Sequence, residues 1–151
     1  MRHGFLRLGF ALESEGVCTL FAEAATDGFA GKASGLFNTT DLEEFAQAIS
    51  EYPLPARNRC SLVTGFGTAG SKVMDEEHLG IEVYPIDSRG HIGVQVRMAT
   101  PLWANSRVDS QSQAKFELRT TYEPLRSFSA NLLALLRGAI EEALLEEEML
   151  P

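Results

Sequence analysis

Asp75, Glu76, Glu77 and His78 put three carboxylates and an imidazole into four consecutive residues, a composition suited to metal binding or proton transfer. Adjacent side chains seldom converge on one ion, because ligands normally come from spaced positions on one face or from separate elements. A solvated loop is therefore the expectation for 75–78, and no metal site is assigned. If the strands that carry His78 and His91 pair, the two rings could meet and either could act as a general base. His91 follows Gly90 at an expected hairpin exit, and Asp87 stands at the end of the preceding strand. Arg97 and Gln95 alternate with Val94 and Val96, so they share the opposite sheet face, a binding surface if that face is open. Trp103, the lone tryptophan, follows Pro101 at a strand end and reads as a core edge or an interface anchor. The binding candidates are thus Asp87, His91, Arg97, Trp103 and His78. No serine or cysteine stands in a G-x-S-x-G setting, so no catalytic residue and no cofactor are assigned.

The run LVTGFGTAGSKV, residues 62–73, holds G-x-G-x-x-G in Gly65, Gly67 and Gly70. A dinucleotide fingerprint needs a strand before, a helix after, and then a parallel strand ending in an acid about 20 residues on. Asp87 would supply the acid, but SKVMDEEHL is too short and too acidic for the crossover, which usually takes a dozen or more residues. The P-loop pattern fails as well, since Ser71 precedes Lys72 where Lys should come first. A loop between neighbouring strands is the expectation.

The elements that would carry these residues are legible from their periods. Leu6, Leu8, Phe10 and Leu12 alternate, then 17–22, then a weaker strand within 29–37 that contains Gly31 and Gly35. Thr40-Asp41-Leu42-Glu43 has the form of a capping box, and Leu42, Phe45, Ala46 and Ile49 follow on one helical face until Pro53. Strands are expected at 61–66, 80–86, 92–98 and 116–122, with Asp87-Ser88-Arg89-Gly90 as a hairpin loop. From Pro124 the apolar residues Leu125, Phe128, Leu132, Leu135, Leu136, Ala139 and Ala143 trace a broad helical face to about 146.

The net charge is −8, and the five glutamates beyond Arg137 carry much of it; without them the rest stands at −3. No basic face is visible, which disfavours nucleic acid and anionic membrane as partners. The N-terminal stretch is not expected to be a signal peptide, and no apolar run approaches the roughly 20 residues of a membrane span. Cys18 and Cys60 lie in apolar runs and read as buried thiols in a reducing, cytoplasmic setting.

IEVYPIDSRGHIGVQVRM, the later tryptophan, the apolar C-terminal segment and the earlier TTDLEEFAQAI together resemble small bacterial α+β proteins, some of them immunity proteins of the WapI-like type. The resemblance rests on Asp87, Gly90, His91, Trp103, Leu42 and Phe45, and no catalytic residues come with it. The fold expected is a single α+β domain over 1–151. It is read as a mostly antiparallel sheet of six or seven strands, with helices near 40–51 and 124–146 packed on one face and residues 147–151 a frayed acidic tail. Two functions are compatible. One is a non-enzymatic protein-binding module, of the kind that blocks a bacterial toxin, with a protein partner or a homodimer. The other is a small-ligand-binding protein or enzyme with a pocket formed by the 65–78 loop and His91.

Overall fold

The computed structural model describes residues 4–67, 74–102 and 107–148. The fold is α+β, with two antiparallel four-stranded sheets and two helices. Strands β1 (Phe5–Ser14), β2 (Val17–Thr26) and β3 (Phe29–Asn38) form a meander. Its turns are closed by Gly16 and Gly28, whose positive φ angles of 76° and 85° suit glycine. After helix α1 (Thr39–Ala48) come β4 (Cys60–Gly67), β5 (Met74–Pro85), β6 (His91–Ala99) and β7 (Gln113–Thr121). Helix α2 (Tyr122–Leu136) and a short strand β8 (Ala143–Glu146) are the last elements of the described residues. The first sheet has the order β3-β2-β1-β8 and the second β4-β5-β6-β7; they are called sheet A and sheet B below.

The strands form two sheets and not the one sheet of six or seven strands that the sequence suggests. Alternation shows that a segment is a strand and which of its residues face inward. It does not show which strand lies beside it. The chain leaves β3 through α1 and the segment 49–59, and β4 then opens a second sheet instead of extending the first. The glycines of β3 explain how the sheets fit together. A Cβ on Gly35 would overlap the Thr64 side chain, and one on Gly31 would lie 2.9 Å from the Met98 methyl. Sheet B therefore seats directly on the β3 backbone. Thr64 donates its hydroxyl to the Leu36 carbonyl at 2.7 Å, covering part of an edge strand that would otherwise be unpaired.

The helices do not lie together on one sheet face. α1 contacts β3 and β4, α2 contacts β1, β7 and β8, and the two helices touch each other, so both reach both sheets. Ser129 binds the Ala46 carbonyl at 2.5 Å where they meet. The capping box is not formed: Asn38 is the N-cap, no side chain caps the helix, and Thr40 sits inside α1. One core unites the elements, with Leu6, Leu8, Leu20, Leu42, Ile81, Ile92, Leu118 and Leu132 fully buried.

The C-terminal helix is shorter than its apolar pattern suggests. It stops at Arg137, and Gly138 takes φ 74°, the left-handed residue that commonly ends helices. Ala143 and Leu145 are then buried while Leu144 and Glu146 are exposed, a period of two. The glutamates 146–148 do not fray from a helix. Glu147 donates its backbone N–H to Gly4, and Glu148 donates its own to Arg119. The Glu147 carboxylate accepts from the Thr26 hydroxyl at 3.2 Å and the Arg119 N–H at 3.1 Å. This acidic stretch joins β1, β2 and β7 at one corner of the molecule.

Candidate functional site

The Gly-rich run is built by sheet B. β4 and β5 are antiparallel neighbours, which excludes the parallel crossover that a dinucleotide site requires; residues 68–73 between them lie outside the described residues. Gly65 has a packing reason. The ladder shifts register at Thr64/Gly65, and a Cβ on Gly65 would run into the Glu76 carbonyl and Glu77.

Asp87 and His91 are brought together at the β5–β6 turn. One Asp87 oxygen accepts the Arg89 N–H at 2.7 Å and the His91 N–H at 3.3 Å, and the other meets His91 Nδ1 at 2.6 Å. The backbone N–H of Arg89 chiefly holds the Asp87 carboxyl below its usual pKa, with the His91 contacts adding to it. A carboxylate on Nδ1 orients an imidazole as in general-base chemistry, but a base also needs a proton to abstract within hydrogen-bond reach. The cross-strand neighbour Thr121 directs its hydroxyl to Glu148 instead. The cluster has the geometry of a turn staple.

His78 and His91 do not meet. Their strands pair, as the sequence reading required, but antiparallel register sets the two rings at opposite ends of the β5–β6 ladder, roughly 25 Å apart at ~3.3 Å per residue. His91 is therefore far from His78 and Gly65, and 75–78 belong to strand β5 instead of the solvated loop expected. His78 is buried against the Glu76 carboxylate, and Glu76 also accepts the Leu102 N–H at 3.2 Å. The His78 contact first, and the Leu102 N–H with it, keep Glu76 ionised to lower pH than usual. No three His, Cys, Asp or Glu side chains among the described residues are gathered as metal ligands would be. Trp103 lies outside the described residues.

Arg97 stands on the outer face of sheet B in a closed set of partners. Its Nε donates to Glu77 at 2.6 Å, and its Nη1 donates to Glu82 and Gln95, each at 2.8 Å. Burial works against the charge, but the two carboxylates outweigh it and raise the Arg97 pKa. Gly80 makes room for the arrangement, since a Cβ there would strike the Glu77 carboxylate and the guanidinium. Beside it Tyr84 lies across Gly93 and donates to Glu117 at 2.5 Å, and Arg59 stacks on the ring at 3.9 Å. Burial first, then Glu117, push the Tyr84 phenol well above its ordinary range. This face is polar, and Arg97 pairs with Glu77 and Glu82 on it, while Lys115 opposite Arg97 has no ion pair among the described residues.

The outer face of sheet A is the opposite case, and the sequence reading did not single it out. Phe21 is 50% exposed, Leu36 60% and Leu144 40%. In the β1–β2–β3 register Gly9, Phe21 and Ser34 lie side by side, with Thr19 and Leu36 as the next pair. A cleft of about 540 Å³ opens over Gly9 and Phe21, walled by Ala99–Pro101 and rimmed by Arg7, Glu23, Lys32, Glu141 and Glu142. Arg7 is paired with Glu23 at 2.6 Å and Glu142 at 3.4 Å, and Lys32 with Glu23 at 3.4 Å. The rim's cations are thus already neutralised, while Glu141 has no ion pair among the described residues. The only advance signal was Phe21 alternating with buried neighbours, and in sequence either side of β2 could have been the core.

No helix of the described residues is long and apolar enough to cross a membrane. Comparison of the chain with protein-family models, curated proteins and solved structures gives no match.

Proposed function

We propose that this protein is a non-enzymatic protein-binding module, an immunity-type inhibitor of a bacterial toxin like the WapI-like proteins that its sequence resembles, working in the cytoplasm. One observation carries the reading: of the two outer sheet faces, one is polar and largely ion-paired, and the other exposes Phe21 in a cleft with half-exposed Leu36 diagonal to it on β3. Contiguous exposed apolar surface with a polar rim marks interaction sites. The partner is a basic protein surface, because the chain carries −8 and the unpaired charge on the rim is negative. Asp87, His91 and Arg97 support the module by holding sheet B rigid; the partner docks on sheet A.

The test uses a toxic polypeptide encoded beside the gene. Co-expression should protect cells and the two chains should co-purify. Phe21→Asp and Leu36→Asp should abolish both effects while leaving the melting temperature near that of wild type, and Lys115→Ala on the other sheet should change neither. Equal protection by Phe21→Asp and wild type would remove the sheet A face from the account. No protection by the wild type would remove the inhibitor reading.

A further inference from the structure

We infer that the outward edge of β8 is a strand-addition site for an extended, basic polypeptide segment. The Glu147 N–H donates to the Gly4 carbonyl at 2.8 Å, and the β1–β8 register runs from Phe5↔Glu146 to Leu8↔Ala143. In an antiparallel ladder the directly bonded pairs recur every second residue. Leu145 and Ala143 therefore turn their peptide groups toward β1, and Leu144 and Glu146 turn theirs away. Among the described residues nothing bonds those outward groups. The same edge is used one step further on, where Glu148 donates to the Arg119 carbonyl at 2.9 Å. Free N–H and C=O groups in a row are a template for another strand.

A groove of about 600 Å³ runs beside this edge, between Leu144–Glu148 and the α2 residues Pro124, Ser127 and Asn131. An added strand would point alternate side chains to the two sheet faces. On the outer face one side chain would lie against half-exposed Leu144 and the next against Glu146; on the other face they would meet Ser127 and Asn131. Charge selects the occupant. Glu146, Glu147 and Glu148 line the groove beside the edge and no lysine or arginine does, while Arg7, opposite Leu144 on β1, is already engaged. A second copy pairing β8 with β8 would set these glutamates against their own images, which is unfavourable for cross-strand neighbours. A segment with Lys or Arg beside Glu146 and an apolar residue beside Leu144 is complementary.

The inference gives the docking reading a partner chemistry and rests on it for its biological use, but the edge can be probed alone. The probe is a six-residue peptide alternating lysine or valine with serine, compared with a twin N-methylated on alternate amides and with a glutamate-for-lysine twin. Amide exchange at Leu144 and Glu146 should slow by about tenfold or more with the first peptide and not with either twin. Leu144→Pro removes one outward N–H without touching a β1–β8 bond, and it should abolish the effect; Phe21→Asp should leave it intact, which separates this site from the open face. Unchanged exchange at millimolar peptide, or equal slowing by the N-methylated twin, would overturn the proposal. Protection that rises with protein concentration and no peptide would make a second copy the occupant and overturn it too.

Discussion

Asp87 shows how one side chain can look catalytic and act as a fastener. Its carboxylate is shared among two backbone N–H groups and an imidazole, and its pKa is lowered by them. A depressed carboxyl contributes stability above its unfolded pKa, about 4 for Asp, and that contribution is lost as pH falls through the folded value. The stability gap between wild type and Asp87→Asn should therefore be open at pH 7 and close on acidification below about pH 4, as followed by thermal melting at several pH values. A gap that stays constant would show that the charge is not what matters. Gly35 offers a second residue-scale test. Adding a methyl there collides with Thr64, so Gly35→Ala should cost about 1–3 kcal/mol. Thr64→Ser removes the offending methyl and keeps the hydroxyl for Leu36, so the double variant should recover much of the loss in denaturant melts. Asp87 and His91 could be named from sequence because a short turn brings near neighbours together. The cleft over Phe21 could not, because its lining comes from separate strands and from residues 99–101 and 141–142.

At the scale of elements, the end of α2 is the instructive case. Leu132, Leu135, Ala139 and Ala143 keep a helical spacing, yet Gly138 stops the helix and the same alanine becomes the first residue of a strand. Ala143 and Leu145 satisfy a period of two as well as Ala139 and Ala143 satisfy a helical one. Local spacing was degenerate there, and the unpaired edge of β1 decided between them. Two variants test the element roles. Leu132 is fully buried on α2, so Leu132→Asp should leave no cooperative thermal transition, since an unpaired charge would enter the core. Leu136 is only partly buried at the helix end, so Leu136→Asp should be milder. Glu147→Ala removes the acceptor for Thr26 and Arg119 and should destabilise by about 1–3 kcal/mol in denaturant titration. An unchanged midpoint would mean that the acidic stretch does not hold the corner together.

Considered as one molecule, the protein divides labour between its sheets. Sheet B joins strands through ion pairs on its outer face, and sheet A leaves apolar side chains open on its own. For the docking proposed on sheet A, that asymmetry predicts that loss of binding will map to Phe21 and Leu36 while thermal stability tracks Gly35, Leu132 and Glu147. Sequence alone determined the strand periods, the antiparallel hairpin at Asp87–His91, the helix at Leu42–Ile49, and a Gly-rich run that is no nucleotide turn. These depend on residues close together in the chain, where spacing and turn chemistry act directly. Only tertiary structure decided that eight strands form two sheets, that the chain's last described segment is a strand edge and not a helix end, and which sheet face stays open. Those outcomes depend on which distant strands pair and how closely two backbones approach, and a period of two is the same whichever neighbour completes the ladder.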